Sequence, residues 1–309
     1  MAAAAAPFQP AFDASVPKST RVGFIGTGIM GAPMAQHIMD AGYPLTVYTR
    51  TKSKAEQLIA NGAEYAASPA EVAAASDVVC TMLGFPKDIE QVILHPETGV
   101  VANLKPGSVV IDFTTTEPVL AERIAAESSA RNAGACDCPV SGGDKGAKAA
   151  KLSIFCGAEP AVLESVKPVL ACLGTAFPMG IPGKGQHAKM ANQVAIATTM
   201  IGLCESMVYA SKAGLNVKDF LNAIAGGAAY SKSLELYADR ITGGDMAPGF
   251  MVEHFVKDLG ITLRECERMK ISLPGLSLAH SLYLSVISLG HERSGTQALI
   301  RALETMNGS

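Results

Sequence analysis

The sequence has no tryptophan, few aromatic residues and no excess of basic residues. Aromatic residues make up 6% and charged residues 17% of its 309 positions, and the net charge is −3. The lack of a basic excess argues against a nucleic-acid-binding surface. The lack of an apolar run of about 18 residues argues against a membrane-spanning helix. The 49% hydrophobic content excludes a disordered chain, and we expect a globular protein with no nucleic-acid or membrane partner.

The seven cysteines lack the paired CxxC spacing of a zinc or redox motif. An odd number of scattered cysteines does not form a disulfide framework, so we expect reduced thiols in an intracellular protein and no metal site. Cys136 and Cys138 alternate within an apolar stretch and are interpreted as strand residues.

The first twenty residues are rich in alanine and proline. They contain no arginine and include the acidic Asp13, whereas organelle transit peptides are rich in arginine and poor in acidic residues. A secretory signal would need a longer apolar core. We therefore predict a disordered tail over residues 1–19 of a cytoplasmic protein, with a mitochondrial or plastid address as the alternative.

The remaining chain has two halves with different hydrophobic periods. Over residues 20–183, continuously apolar runs alternate with helical patterns, which predicts parallel strands covered on both faces by helices. This half is predicted to be an α/β domain, a Rossmann doubly wound parallel sheet. Residues 184–309 show only helical patterns and predict an all-α domain for substrate binding and oligomerisation. Its first helix, of almost thirty residues, ends at Gly214 and is too apolar for one small domain to cover, so we expect a homodimer or homotetramer.

The segment GFIGTGIMG follows the first predicted strand and opens a helix. In that context a GxGxxG pattern indicates a dinucleotide-binding loop. Gly26 would form the turn, Gly28 would admit the pyrophosphate, and Gly31 would let the helix pack on the sheet. The free amides at the helix start would bind the phosphates. The candidate cofactor-binding residues of this loop are Gly26, Thr27, Gly28, Ile29, Met30 and Gly31.

The end of the second predicted strand, VYTRTKSK, lacks an acidic residue. NAD-binding folds usually carry Asp or Glu there to hold the ribose hydroxyls. Arg50 can instead pair with a 2′-phosphate in a fork geometry, and Thr51 can add a hydroxyl bond. We therefore predict that Thr49, Arg50 and Thr51 favour NADP(H), with NAD(H) as a further cofactor.

A second glycine-rich segment, PVSGGDKGA, also follows a predicted strand. Ser141, Gly142 and Gly143 would present a hydroxyl group and accessible amides, which suits a carboxylate because a carboxylate only accepts hydrogen bonds.

The segment GKGQHAKMANQ begins the long helix. Lys189, Asn192 and Gln193 share one helix face by their spacing. A desolvated lysine has a lowered pKa and can exchange a proton near neutral pH, which makes Lys189 a candidate acid–base residue.

The segments GFIGTGIMG, PVSGGDKGAKAAKLSIFCG, GKGQHAKMANQ and HFVKDLG occur in this order. Together they resemble the β-hydroxyacid dehydrogenase family, which includes 3-hydroxyisobutyrate dehydrogenases, tartronate semialdehyde reductases and glyoxylate/succinic semialdehyde reductases. The resemblance extends from about Arg21 to the C-terminus. Within the family, the chain resembles the plant 3-hydroxyisobutyrate dehydrogenase-like group. It implies hydride transfer between NADP(H) and a small carboxylate-bearing β-hydroxyacid or semialdehyde.

The resemblance also implies roles for individual residues. It places Met82 and Leu83 along the cofactor, and Thr115 near the nicotinamide and the substrate. It makes Lys189 the catalytic residue. The other implied roles are substrate binding by Ser141, Gly142, Gly143 and Asn192, and closure over cofactor and substrate by Lys257 and Asp258.

One position departs from the pattern of many 3-hydroxyisobutyrate dehydrogenases, which have two asparagines where this chain has Asn192 and Gln193. The ANQ form is more similar to tartronate semialdehyde reductases, so the sequence does not decide between the substrates of these two groups. The alternatives are an imine reductase, a 6-phosphogluconate-type dehydrogenase and a catalytically silent NADP-binding protein, the last of which would keep the glycines and lose Lys189.

Overall fold

The computed structural model describes residues 8–308, and the chain divides into two compact units, Met1–Lys189 and Met190–Ser309. The boundary predicted from the sequence, between residues 183 and 184, coincides with the start of the helix that runs through this division.

The first unit is built on a nine-stranded sheet with helices between the strands. The strands are β1 (Val22–Ile25), β2 (Leu45–Tyr48), β3 (Glu64–Tyr65), β4 (Val78–Thr81), β5 (Val109–Asp112), β6 (Gly134–Asp137), β7 (Val140–Ser141), β8 (Leu152–Gly157) and β9 (Gly174–Gly180). The helices of this unit are α1 (Gly31–Asp40), α2 (Glu56–Ala60), α3 (Pro69–Ala75), α4 (Pro86–Ile93), α5 (Pro118–Ser129), α6 (Gly143–Lys148) and α7 (Pro160–Ala171).

The strand order is β3-β2-β1-β4-β5-β6-β8-β7, and β9 pairs with β8. The first six strands in this order are parallel to one another, whereas β8 runs antiparallel to β6 and β7. All residues of β1, β4, β5 and β6 are buried, as expected for parallel strands covered on both faces. The predicted Rossmann fold is thus confirmed.

The chain reverses its direction of travel through the sheet between β1 and β4. From β1 it continues to β2 and β3 on one side, and it then returns to β4 on the other side. In open α/β sheets, ligands bind beyond the carboxyl ends of the strands at such a switch point. The loop that follows β1 lies at this position.

The second unit is helical, as predicted. It contains most of the long helix α8 (Lys184–Lys212), followed by α9 (Val217–Ile224), α10 (Lys232–Thr242), α11 (Val252–Met269), α12 (Pro274–Ser288) and α13 (Leu299–Met306). Its core is centred on Phe255 and Tyr283, whose rings meet edge to face at 4.9 Å. The Tyr283 hydroxyl group donates to the carbonyl of Thr296, which satisfies the only polar atom of that buried side chain.

Helix α8 ends as predicted beside Gly214, which has φ +77°. By length and composition this helix is apolar enough to cross a membrane, contrary to the expectation that no segment would be. Core helices of soluble proteins meet the same criterion. Helix α8 also buries the polar side chains of Gln186, Lys189 and Gln193, and the expected absence of a membrane partner stays a prediction.

The N-terminal segment differs from its prediction. Residues 1–7 of the predicted disordered tail lie outside the described residues, but residues 8–19 pack on the first unit. Phe8 and Phe12 contact its core, Ala14 is buried, and the carbonyl of Ala14 accepts a hydrogen bond of 2.6 Å from the hydroxyl of Tyr43. The alanine and proline content suggested disorder, whereas the two phenylalanines supply apolar surface that is buried on the sheet domain.

Candidate active site

The glycine-rich loop between β1 and α1 is a close-packed turn. Gly26 has φ +98°, and a Cβ atom on it would lie 2.2 Å from the carbonyl oxygen of Met82. A Cβ atom on Gly31 would lie 1.9 Å from the carbonyl oxygen of Gly26. Both positions require glycine because any side chain would collide with backbone atoms. This geometry fits the turn and packing roles expected of these two residues.

Gly28, between them, faces open space. A Cβ atom there would meet nothing within 4 Å, and the neighbouring Ile29 is 55% exposed. Helix α1 has Met30 at its N-cap position and no side-chain cap, and Thr27 Oγ1 is buried with no hydrogen-bond partner within residues 8–308. An uncapped helix start beside accessible glycine backbone is the arrangement that binds phosphate groups. The residues of the loop therefore fit the pyrophosphate of a dinucleotide.

The end of β4 adjoins this loop. The N–H of Met82 donates to the carbonyl of Ile25 at 2.9 Å, and the Leu83 side chain would lie 3.4 Å from a Cβ atom on Gly26. The N–H of Leu83 donates to Thr114 Oγ1 at 2.9 Å. The residues after β4 therefore connect the glycine-rich loop with the loop that follows β5.

The end of β2 presents a guanidinium group to solvent. The Arg50 side chain is 75% exposed, and its Nη1 lies 3.0 Å from Asp88 Oδ1. Thr51 is exposed, whereas Thr49 is buried and its carbonyl accepts a hydrogen bond from the Tyr65 hydroxyl at 3.3 Å. Arg50 is thus accessible to a phosphate group but already has a carboxylate partner.

Sequence reasoning missed Asp88, which is held at the start of α4. Its Oδ2 accepts a hydrogen bond of 3.2 Å from the N–H of Phe85. An acidic residue at the third position of a helix commonly binds the backbone in this way. The position of Asp88 three residues after Phe85 was therefore the sequence pattern that could have indicated this contact. Because β1 lies between β2 and β4, the Arg50–Asp88 ion pair joins the loop after β2 to the start of α4, on either side of the glycine-rich loop.

Thr115 lies in the loop after β5, where a glutamine from α8 holds the residues on both sides of it. Gln186 Oε1 accepts the N–H of Thr116 at 3.0 Å, and Gln186 Nε2 donates to the carbonyl of Thr114 at 2.8 Å. The side chain of Gln186 is fully buried. Sequence reasoning missed this residue, although it precedes Lys189 by three positions and shares its helix face.

The same loop and helix are held by two aspartates at strand ends. Asp112 Oδ1 accepts the N–H of Thr114 at 3.0 Å, and the two carboxylate oxygens of Asp137 accept the N–H groups of Gly183 and Gln186 at 2.8 and 2.9 Å. Burial raises the pKa of Asp137 to about 7, against the lowering effect of these two backbone hydrogen bonds. Asp137 therefore caps α8 from the end of β6.

The predicted carboxylate-binding loop is a turn of consecutive left-handed glycines. Gly142 and Gly143 have φ +132° and +61°, and Ser141 ends β7 opposite Ser153 of β8. Two successive glycines are needed because other residues are strained at such φ angles. In the sheet, β7 is separated from β5 by β6 and β8, so Ser141 lies further along the same sheet than Thr115.

Lys189 is 7% exposed, and the residues that follow it belong to a buried polar network in the second unit. Asn192 Nδ2 donates to Gln193 Oε1 at 2.9 Å, and Gln193 Nε2 donates to Asp258 Oδ2 at 2.6 Å. Lys257 Nζ lies 3.1 Å from Asp258 Oδ1, and the side chain of Asp258 is only 2% exposed. Asp258 thus contacts both Gln193 and Lys257 from a buried position. Gln193, the residue at which the ANQ segment departs from the two-asparagine pattern, therefore has Asp258 as its partner.

The three buried cysteines Cys136, Cys138 and Cys156 form a cluster in the core of the first unit. Their sulfur atoms lie within 4.8 Å of one another, and those of Cys136 and Cys138 are 2.9 Å apart. All three pack among apolar side chains of the sheet, as buried free cysteines commonly do. The expected absence of a metal site stays a prediction.

Taken together, the predicted residues form two groups. In the first unit, hydrogen bonds connect the glycine-rich loop, the end of β4 and the Thr115 loop. Gln186 joins this group to the helix that carries Lys189. In the second unit, Asn192 is linked through its neighbours to Lys257 and Asp258. A doubly wound sheet with a glycine-rich loop at its switch point is typical of the class of dinucleotide-binding proteins.

Family models cover nearly the whole chain. Residues 21–202 match the NAD binding domain of 6-phosphogluconate dehydrogenase, and residues 183–303 match the NAD-binding domain of NADP-dependent 3-hydroxyisobutyrate dehydrogenase. The chain belongs to the β-hydroxyacid dehydrogenase family, which confirms the resemblance seen in its four segments. It is an NAD(P)-dependent hydroxyacid dehydrogenase by family.

Individual relatives agree with this assignment. The chain is 52% identical over 295 residues to "Probable 3-hydroxyisobutyrate dehydrogenase-like 1, mitochondrial" of Arabidopsis thaliana, covering 96% of this chain and 88% of that protein. It is 33% identical to "2-hydroxy-3-oxopropionate reductase" of Escherichia coli K12, covering 93% and 98%. A solved structure, "Psf3 in complex with NADP+ and 2-OPP", has 26% identity and a TM-score of 0.85, covering 91% and 99%.

Proposed function

We propose that this protein is an NADP(H)-dependent reductase and dehydrogenase of small β-hydroxyacids and their semialdehydes, with Lys189 as its catalytic residue. The observation that carries the proposal is the position of Lys189 three residues after Gln186, whose amide is bonded to both neighbours of Thr115. A lysine that is 7% exposed on such an anchored helix is well suited to act on a bound substrate rather than in solvent.

The proposed roles follow from the chemistry of the groups. A bound nicotinamide dinucleotide supplies or accepts the hydride. Lys189, as an ammonium group, stabilises the developing alkoxide and delivers the proton in the reducing direction. The Ser141 loop binds the substrate carboxylate with its hydroxyl and amide groups, and Asn192 helps to orient the substrate.

The proposed preference for NADP(H) rests on Arg50, with Thr49 and Thr51 beside it. A charge-assisted hydrogen bond from a guanidinium group to a 2′-phosphate contributes about 1.5–3 kcal/mol. Because Arg50 is mostly exposed, solvent screens the interaction and we expect a value near the lower limit. The complex of the similar Psf3 structure with NADP+ supports this choice. NAD(H) is expected to bind more weakly.

The substrate is proposed to be one of 3-hydroxyisobutyrate, tartronate semialdehyde, glyoxylate and succinic semialdehyde. The names of the Arabidopsis and E. coli relatives support the first two. We further propose a homodimer or homotetramer. The cytoplasmic location expected from the N-terminal composition stays a proposal, and the word "mitochondrial" in the Arabidopsis name supports the organelle alternative.

The test is a kinetic panel with a lysine variant. Wild-type protein is expected to oxidise NADPH with at least one of the semialdehydes or with glyoxylate, or to reduce NADP+ with 3-hydroxyisobutyrate. Lys189→Ala should lower kcat by about 10²-fold or more, because one group supplies both proton transfer and charge stabilisation, while the Kd for NADPH stays the same.

The matched control is Lys184→Ala, which removes an exposed lysine from the first turn of the same helix. It should keep the wild-type kcat. Retention of more than about a tenth of the wild-type kcat by Lys189→Ala would refute the catalytic role. A wild-type protein that is inactive with every compound of the panel would refute the proposed substrate class.

A further inference from the structure

We infer that Gln186 is a positioning residue, which fixes the Thr115 loop and the first turn of α8 as one rigid body and so sets the place of Lys189. This inference deepens the proposed function and rests on it for the role of Lys189. The contact itself, however, can be tested without any turnover.

The geometry of Gln186 is that of a two-point clamp. Its Nε2 donates to the carbonyl of Thr114 at 2.8 Å, and its Oε1 accepts the N–H of Thr116 at 3.0 Å. A primary amide offers a donor and an acceptor side by side at any pH near neutrality. Because both of these backbone groups are held, the backbone of Thr115, which lies between them, cannot rotate without breaking one of the two bonds.

The backbone of Gln186 is fixed as well as its side chain. Its N–H donates to Asp137 Oδ2 at 2.9 Å, and the N–H of Gly183 donates to Asp137 Oδ1 at 2.8 Å. The carboxylate thus caps α8 at two amides, which a helix start otherwise leaves unsatisfied. One residue is therefore bound at its backbone to β6 and at its side chain to the loop after β5.

Two glycines let α8 approach the sheet closely enough for these bonds. A Cβ atom on Gly185 would lie 2.4 Å from the carbonyl oxygen of Phe155 and 2.5 Å from that of Asp137. A Cβ atom on Gly157 would lie 2.5 Å from Asp137 Oδ1 and 2.7 Å from the Gly185 nitrogen. At these two glycines the first turn of the helix is seated closely against β6 and β8, which leaves little freedom to shift.

Lys189 follows Gln186 by three residues on the same face of the helix. A shift of the first turn would therefore carry Lys189 with it, relative to the Thr115 loop. A misplacement of about 1 Å in a reacting group can cost about 10²-fold in rate. Gln186 touches neither cofactor nor substrate in this scheme and acts only through Thr115 and Lys189.

The test compares Gln186→Met with Gln297→Met. Methionine has a similar volume and cannot form either hydrogen bond. Gln297 is the matched control because it is also fully buried and its Nε2 donates to two backbone carbonyls, those of Asp245 and Ala247, at 3.0 and 3.1 Å. Both variants should lose stability to a similar degree, so a general loss of stability is separated from a loss of position.

The first readout is amide hydrogen exchange of the Thr114–Thr116 loop in the protein without cofactor. We expect Gln186→Met to accelerate exchange at Thr116 by at least about 10-fold, because its N–H loses its acceptor. Gln297→Met should leave this exchange unchanged. Unchanged exchange at Thr116 in Gln186→Met would overturn the clamp, whatever the activity of the protein.

The second readout is the division of the effect between kcat and cofactor binding. We expect Gln186→Met to lower kcat by about 10- to 100-fold with the Kd for NADPH within about threefold of the wild-type value. In a Thr115→Val background the same substitution should cost much less, because two residues that act as a unit are not additive.

The outcomes separate the inference from the proposed function. Wild-type kcat in Gln186→Met, or a loss of NADPH affinity as large as the loss of kcat, would overturn the positioning role. An equal loss of kcat in Gln297→Met would also overturn it. A wild-type protein that turns over none of the proposed substrates would overturn the proposed function alone, and the exchange measurement would still decide whether Gln186 holds the loop.

Discussion

At the scale of single residues, Asp88 is expected to weaken the preference for NADPH. Its carboxylate pairs with Arg50 at 3.0 Å and would both compete with a 2′-phosphate for the guanidinium group and repel it. Because an exposed ion pair contributes only about 0.2–1 kcal/mol, we expect Asp88→Asn to lower the Kd for NADPH by about two- to fivefold and to leave the Kd for NADH unchanged. Fluorescence titration of both cofactors measures this.

Asp77→Asn is the matched control for this prediction. Asp77 pairs with Arg21 and has nearly the same side-chain exposure as Asp88, 15% against 16%. It precedes β4 and so lies at the amino end of the strands, whereas Asp88 lies beyond their carboxyl ends. Arg50→Asp should reverse the cofactor preference. If Asp88→Asn instead weakens NADH binding selectively, the carboxylate binds the ribose hydroxyls and the protein prefers NAD(H).

The residues of the candidate site could be predicted only where a local pattern carries the information. Gly26 and Gly31 were predictable because the turn and the close packing at these positions are local properties of a strand–loop–helix unit. The contacts of Asp88 with Arg50 and of Gln186 with Thr116 were not predictable, because these partners lie 38 and 70 residues away and meet only through the strand order. The role of Gln193 likewise depends on Asp258, which is 65 residues away.

At the scale of secondary-structure elements, the start of α8 should make the stability depend on pH through Asp137. Burial raises its folded pKa to about 7, above the ordinary value of 3.8. Between these values the folded state holds a proton that the unfolded state has lost, so the stabilisation is present at low pH and is lost as the pH rises towards 7. The loss amounts to at most about 1.4 kcal/mol per pH unit.

Urea unfolding of wild type and Asp137→Asn between pH 5 and pH 8 measures this contribution. The stability advantage of the wild type over the variant should shrink from pH 5 to pH 7 and then stay constant. In the control Asp77→Asn the difference should be flat over this range, because hydrogen bonds from Arg21 outweigh burial and lower the pKa of Asp77. A difference that stays flat from pH 5 to pH 7 would mean that the pKa of Asp137 is not raised in the folded protein.

Elements were predictable from the sequence where hydrophobic runs were long enough. The strands β1, β4 and β5 are short, mostly apolar and entirely buried, and their length and apolar content identify them. The strands β3 and β7 have two residues each, which is too short for any periodicity, and they exist because neighbouring strands offer them backbone partners. Residues 8–19 pack for a similar reason, since Phe8 and Phe12 find apolar partners that a local pattern does not reveal.

At the scale of the whole molecule, one face of α8 is expected to hold two copies of the chain together. Between residues 191 and 209, exposed residues that recur every three or four positions form a stripe, which consists of Ala191, Ala195, Thr198, Gly202, Glu205 and Tyr209, with the exposed Thr199 beside it. Four of these side chains are small enough for a second helix to approach closely, and Tyr209, at 77% exposure, is a large aromatic surface in solvent. A closed symmetric pair would cover this stripe.

Light scattering at micromolar concentration should give two or four times the mass of one chain. Gly202→Arg should shift the protein towards smaller species, because a long charged side chain blocks close approach of a second helix. It should not disturb the fold of the chain itself, since a Cβ atom on Gly202 meets nothing within 4 Å and glycine is a poor helix former. The control is Leu215→Arg, which changes an apolar residue of 52% exposure just beyond the end of α8 and should leave the mass unaltered. A wild-type mass equal to one chain would refute the predicted assembly, and an unchanged mass in Gly202→Arg would place the contact on another face of the protein.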